Sequence, residues 1–377
     1  MSKEELFVPK EKHLGKIITI IIILLILIGG AYWYYHFIYA NPQNIANKSI
    51  EKLEKYINDR FNDIDTTKPL ELNGLIDIKM EEQEKTDIND IINNLSIQLN
   101  MHLDEKENEL DINLNSKYKN NKLINIQTYY RKNNLYLNPG EIYDNYLLIQ
   151  ENKLLLTKNE LKDIFLKIIN TIKNEANKSK WNRTNENDLI KNYIQLENEN
   201  AVNHLKNILN ILKNDKQFMN SIQKINVDYA SKIDDYLKQI NDQEKNTYSL
   251  AFYTENNLSQ SLNKIEQVFN DRKITINISP DNKISIDIKD NNKTQNIKLT
   301  LSDKIININI INQTTNNKII TDLKLNYNNI SNIENIDINN SKKTDELTIE
   351  EKELIQKNIT NNKVINTLYN LIKEKFD

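Results

Sequence analysis

The sequence contains no cysteine. That excludes disulfides, thiolate metal sites, a cysteine nucleophile and a lipid-modified cysteine. Glycine and proline number five each in 377 residues. So little glycine leaves no material for a phosphate-cradling loop, and neither GxGxxG nor GxSxG occurs. There are four histidines: His13 and His36 near the N-terminus, with His102 and His204 far apart in sequence. No pair stands at i, i+4 to hold zinc. The net charge of −3 carries no basic surplus for nucleic acid or an anionic lipid surface. These absences leave no catalytic, cofactor-binding or metal-ligating set.

What is present is concentrated first at residues 15–43, GKIITIIIILLILIGGAYWYYHFIYANPQ. From Ile17 to Tyr39 there is no Lys, Arg, Asp or Glu. That is about 23 residues, enough for a helix to cross a hydrocarbon core of about 30 Å. Tyr32, Trp33, Tyr34, Tyr35 and Tyr39 mark one end, where amphipathic rings suit the headgroup layer. Lys10, Lys12 and Lys16 flank the other end, which by the positive-inside tendency is cytoplasmic. The expected topology is a cytoplasmic tail (1–16), one transmembrane helix (17–39) and an extracytoplasmic body (40–377). A cleaved signal peptide has a shorter apolar region followed by small residues, whereas this run leads into bulky aromatics. A buried core helix keeps a polar face, and this segment has none. Gly29 and Gly30 form a lone small-residue pair, weak as a dimer motif.

Asn, Ile and Lys dominate the composition, the bias of an AT-rich genome. Triplets such as Asn47-Lys48-Ser49 and Asn182-Arg183-Thr184 follow from abundant Asn and are read as chance. An extracytoplasmic body without disulfides suits a Gram-positive-like bacterium.

The apolar period then sorts the body. Ile45, Ile50, Leu53, Ile57 and Phe61 recur at helical spacing. After Lys68-Pro69 the period becomes two: Leu70 to Met80, Leu95 to Leu103, Leu110 to Leu114, Ile124 to Tyr130, then Leu135 and Leu137. One apolar and one polar face predict antiparallel strands buried on one side. Residues 40–156 are thus a helix plus a first strand block. Thr157 and Glu160 make a capping box before Leu161, Ile164, Ile168 and Ile172. Helical spacing is read again in Leu189, Tyr193 and Leu196, in Val202 to Leu212 and in Ile233 to Ile240, so 157–245 is expected to be helical. Alternation resumes over 246–340, from Leu250 through the Ile runs to Tyr327, with Asn/Asp/Lys turns between. A second capping box, Thr348 with Glu351, opens C-terminal helices within 341–377.

The expected fold class is α+β: one N-terminal transmembrane helix, then curved antiparallel sheet packed with amphipathic helices. The strand blocks form two stacked halves or one continuous sheet. The element order over roughly 45–377 resembles the half-barrel of bacterial lipoprotein carriers of the LolA/LppX type. With the acidic capped tail Thr344-Asp345-Glu346-Leu347-Thr348-Ile349-Glu350-Glu351, it also resembles membrane-anchored proteins of low-GC bacteria. The resemblance implies helices on the concave side of the sheet and carriage of a hydrophobic ligand.

Remaining chemistry is sparse. Asp234-Asp235 and Glu350-Glu351 are adjacent carboxylates, but acid/base work requires burial that separates their pKa values. Both pairs fall on polar helix surface. Asp281-Asn282-Lys283 and Asp290-Asn291-Asn292 lack the spacing and terminal Glu of a calcium loop and read as hairpin turns. His102 falls on the polar face of a strand and reads as solvated. Tyr129, Tyr130, Tyr136, Tyr143 and Tyr146 crowd one region, suited to ligand contact but better explained by an ordinary sheet.

The expected function is a non-enzymatic binding or carrier module, anchored through 17–39 at the outer face of the cell membrane. An apolar groove between sheet and helices would take a lipid or hydrophobic peptide. The alternative is a cell-envelope scaffold that docks a protein partner and no small ligand. An envelope hydrolase would need a cluster of buried carboxylates.

Overall fold

A computed structural model describes residues 41–82, 87–150, 155–225, 228–241, 246–255, 260–279, 283–302, 304–334 and 336–376. The expected span at 17–39 and the turn at 280–282 lie outside the described residues. Among those described, no helix is long and apolar enough to cross a membrane.

Helix α1 (Pro42–Asp63) opens the body. Strands β1 (Leu70–Glu82), β2 (Leu95–Asp104), β3 (Glu109–Tyr118), β4 (Asn121–Arg131), β5 (Asn134–Asn138) and β6 (Leu147–Gln150) follow as a meander. A short helix α2 (Asp87–Asn93) interrupts it after β1. Then come α3 (Lys158–Ala176), the hairpin β7 (Asn182–Glu186) and β8 (Leu189–Glu197), and helices α4 (Asn198–Asn214), α5 (Lys216–Ile225) and α6 (Tyr229–Asn241). A second meander runs through β9 (Thr247–Glu255), β10 (Leu262–Phe269), β11 (Arg272–Ile278), β12 (Lys283–Asp290), β13 (Lys293–Ser302), β14 (Ile305–Gln313) and β15 (Asn317–Asn329). The two-residue β16 (Lys342–Lys343) and helices α7 (Ile349–Asn361) and α8 (Lys363–Phe376) end the fold.

The two meanders are one curved, unclosed sheet of 16 strands. They join where β1 lies antiparallel to β15, from Leu70 opposite Asn329 to Glu82 opposite Asn317. Of the two expected arrangements, the continuous sheet is the one formed. Its edges are β7 and the short β16, which runs parallel to β6. Gly74 sits at the seam, where a Cβ would collide with the Lys324 carbonyl and the Leu325 side chain.

Asparagine does the work that scarce glycine usually does. Among the described residues twelve non-glycine residues have positive φ, and seven of them are Asn. Asn tolerates the left-handed region because its short amide bonds locally. Lys119-Asn120, Lys132-Asn133 and Asn187-Asp188 are pairs of such residues. They make the two-residue turns whose twist matches a hairpin.

That chemistry explains one correction. Residues 189–197 were expected to be helical, within the block 157–245, yet they are strand β8. Leu189, Tyr193 and Leu196 do fall at helical spacing, but Ile190, Asn192 and Ile194 alternate as buried positions with half-buried neighbours. The Asn187-Asp188 turn folds β7 onto β8 and decides the period. Helix α2 and strand β6 were too short to give a periodic signal.

Both capping boxes form. Thr157 Oγ1 accepts from the Glu160 amide while Glu160 Oε2 accepts from the Thr157 amide at 2.9 Å. Thr348 and Glu351 repeat the arrangement. Residues Thr344–Glu346 just before, with the acidic Asp345 and Glu346, form a 3₁₀ turn separate from α7.

Two groups of helices cover the same face of the sheet. Over β8–β11, Ala46 and Ile50 of α1, Ala176 of α3 and Leu205 of α4 pack with Ile194, Leu250, Phe252 and Ile265. Helices α5 and α6 close that layer through Phe218, Met219 and Ile233. Over β4, Leu123, Ile124 and Ile126 pack with Ile359 and Val364 of α7–α8. The strands between these groups, β12–β15 with β1 and β2, contribute almost nothing to the described core clusters.

Candidate functional site

The uncovered strands present register rows of branched apolar side chains. One row runs Ile284, Leu299, Ile308, Leu323, Ile76 and Ile97, each directly opposite the next. A second runs Ile286, Ile297, Ile310, Thr321 and Ile78, and a third Ile306, Leu325, Gly74 and Leu99. The first row crosses five strand spacings, about 24 Å at roughly 4.8 Å each. Leu325 and Leu99 are buried, and the other side chains in these rows are half-buried. Ile274, next to this floor on β11, is 37% exposed.

These rows lie on the helix-bearing face, because Ile276 and Ile278 in the same alternation pack against the α1/α3/α4 core. The opposite face of the same strands carries Asp77, Lys79, Asp287, Lys289, Lys298, Asp322 and Lys324. The rows themselves carry no charge. The result is an apolar floor bordered by α7–α8 at one end, while α1 and α3 run from the β8–β11 core to the start of β1 and the end of β2, where the Lys158 amide donates to Glu105 at 2.8 Å and Lys158 Nζ donates to the Ile64 carbonyl at 2.7 Å. Helix α2 ties one end, where Asn93 brackets the Met80 backbone by accepting from its N–H at 2.7 Å and donating to its carbonyl at 2.9 Å.

The expected groove between sheet and helices is filled over β8–β11. Over β8–β11 that interface is a packed core, with Ala46 and Ile194 fully buried. No side chain of β12–β15 belongs to that packed core.

The polar face holds the second cluster. His102 was expected to be solvated, but its Nε2 lies 3.3 Å from Glu71 and its Nδ1 lies 3.4 Å from Asp111. Gln127 donates to Asp111 at 3.1 Å, and Tyr146 donates to Gln127 at 2.5 Å. Glu71, His102 and Asp111 are direct cross-strand neighbours on β1, β2 and β3, so register alone assembles them. Burial first, then Asp111 and Tyr129, push the Tyr146 phenol up to about 12. Both ring nitrogens of His102 are thus engaged by carboxylates. The ladder reads as a cross-strand clamp. The spacing of Glu71, His102 and Asp111 in sequence carries no sign of it.

The other residues singled out in the sequence do not converge. Asp234 pairs with Lys213, and Asp235 lies 3.6 Å from Lys238. Glu351 is held by Tyr143, Lys342 and Thr348, while Glu350 is exposed. Asp290 pairs with Arg272 at 3.0 Å, beside the Asn291-Asn292 turn. Tyr129, Tyr130, Tyr136 and Tyr143 are buried and serve the sheet and its edge. Among the described residues no group of His, Asp and Glu could hold a metal ion. An open depression of about 460 Å³ on the rim of β10–β13 is lined by Lys264, Asn277, Ser285, Lys298 and Thr300 together with the apolar Leu189, Ile278, Ile284 and Leu299.

No protein-family model matches the chain, and no curated protein matches it.

Proposed function

We propose that this protein is a non-enzymatic binding module for a hydrophobic ligand, tethered to the outer face of the cell membrane by residues 17–39. The observation that carries the reading is the uncharged floor of β12–β15, β1 and β2. It is half-buried and about 24 Å across, and β12–β15 give no side chain to the helix-covered core clusters. A contiguous apolar surface of this kind marks an interaction site. Its length suits an extended acyl chain, and each methylene buried there contributes about 0.8 kcal/mol. The curved, unclosed sheet is consistent with the resemblance to half-barrel lipid carriers. The apolar run Ile17–Tyr39 supports the tether.

The test is lipid extraction and native mass spectrometry of the full-length protein purified in mild detergent, beside an Ile297→Glu, Ile308→Glu variant. A stoichiometric lipid on the wild type and none on the folded variant supports the reading. A lipid-free wild type that captures a helical segment of an envelope protein on the same floor would make it a docking scaffold.

A further inference from the structure

The tether and the first helix are separated by almost no chain. The expected span ends at Tyr39, and Asn41 is already the N-cap of α1, its Oδ1 accepting from the Gln43 and Asn44 amides at 3.0 and 3.1 Å. The helix is locked to the body from its first turn. Ile45 and Ala46 are buried. Gln43 Nε2 donates to the Asn177 carbonyl at 3.4 Å, and Asn177 Nδ2 donates to Asn47 Oδ1 at 3.0 Å. From Tyr39 to Asn41 is two residues of chain, a reach of about 7 Å.

From this we infer that the end of the body formed by the first turns of α1 and the 177–181 turn lies against the lipid headgroups, and that its partner is the phosphate of anionic lipid. The inference rests on the membrane-anchor reading above. The local charge fits. Residues 41–50 and 176–181 contain Lys48, Lys178 and Lys180 and no Asp or Glu. All three lysines are exposed. Lys178 pairs with Glu175, which is 2% exposed, so those two charges cancel and Lys48 and Lys180 carry the surplus. The balanced net charge of the whole chain hides these lysines, which Glu51 borders with its carboxylate 3.8 Å from Lys173. Elsewhere on the body the surface mixes both signs, as along the polar face of β12–β15. A body held this close cannot carry a ligand away. Its apolar floor would exchange hydrophobic ligand with the bilayer beside it.

The test uses the full-length protein in nanodiscs of phosphatidylglycerol, in nanodiscs of phosphatidylcholine and in detergent micelles. The readout is the rate of amine acetylation at Lys48 and Lys180, with Lys289 and Lys298 as controls on the polar sheet face. In the anionic discs, Lys48 and Lys180 should react about fivefold more slowly than in micelles, the attraction of one lysine to an anionic surface. The protection should weaken in phosphatidylcholine and at high salt, with the controls unchanged. Equal rates in anionic discs and micelles, with the protein retained in the disc after alkaline washing, overturn the apposition alone. Failure to enter the disc overturns the anchor reading and the apposition with it. In the variant Lys48→Gln, Lys180→Gln, hydrogen exchange at 41–50 should speed up in anionic discs. No change in that exchange counts against phosphate as the partner.

Discussion

The Tyr143 hydroxyl donates to Glu351 at 2.8 Å, joining residues 208 apart in sequence. Lys342 donates to the same oxygen at 2.7 Å, and the Thr348 amide donates to the other at 2.9 Å. Around this carboxylate Tyr143, Leu147 and Leu347 form a small core, which fastens the start of α7 to the far edge of the sheet. The Lys342 ammonium first, then the Thr348 amide and Tyr143, hold Glu351 at about 2, against an ordinary value of 4.5.

A carboxylate whose folded pKa is depressed stabilises the fold above its unfolded pKa and loses that contribution as pH falls. Docking of α7 should therefore be complete above about pH 4.5 and weaken toward pH 2. Glu351→Gln should raise amide exchange across 349–361 at pH 6, after correction for intrinsic rates. Unchanged exchange at pH 6 would show that the apolar contacts alone hold the helix.

His204 gives a second pH dependence. The ring is 6% exposed, lies 4.6 Å from the Tyr248 ring at a 44° tilt, and has no hydrogen-bond partner at Nε2. Burial lowers its pKa below 6.5, against the opposing pull of Glu175. Above pH 6.5 the ring is neutral folded and unfolded, so it costs nothing. Below 6.5 the unfolded state takes up the proton first, and stability falls until the folded pKa is passed. The melting temperature should drop between pH 7.5 and 5.5, and His204→Phe should lessen that drop. An equal drop in both proteins would place the sensitivity elsewhere.

Asn192 is fully buried under α1 and α4, and neither amide atom has a hydrogen-bond partner. An unsatisfied buried polar group costs roughly 1–3 kcal/mol. Asn192→Leu, close in shape, should raise stability in urea by about that amount. A loss of stability would mean that the amide is satisfied in solution.

Gly74→Ala should act in the opposite direction. The new methyl meets the Lys324 carbonyl and the Leu325 side chain, in the ladder that joins the two meanders. Overpacking of this kind costs about 1–3 kcal/mol. Chemical denaturation measures it, and a neutral result would show that β1 and β15 can separate locally without loss.

Much of this fold is legible in the sequence because its strands are long and one-sided. Leu95 to Leu103 and Ile306 to Ile310 announce a period of two, and Thr157 with Glu160 announces a helix start. The order of strands is not legible. The β1–β15 seam pairs residues more than two hundred positions apart, and no local pattern encodes it. The hairpin β7–β8 was hidden because Leu189, Tyr193 and Leu196 satisfy a helical period by coincidence. The deciding signal was Asn187-Asp188, which reads as a turn once Asn is allowed the role of glycine. The apolar floor was half legible. Its residues were visible as alternating Ile, but which strands the helices leave bare depends on tertiary packing. The Glu71–His102–Asp111 clamp depends wholly on register.

The most direct measurement is photolabelling of the full-length protein, in detergent, with a long-chain fatty acid bearing a diazirine on its tail. Adducts should map to residues 283–312 and 72–80 at Ile286, Ile297, Ile308 or Ile76. They should disappear under excess unlabelled fatty acid and in Ile297→Glu, Ile308→Glu. Adducts confined to residues 17–39, or spread without competition, would contradict a ligand-binding floor on this sheet.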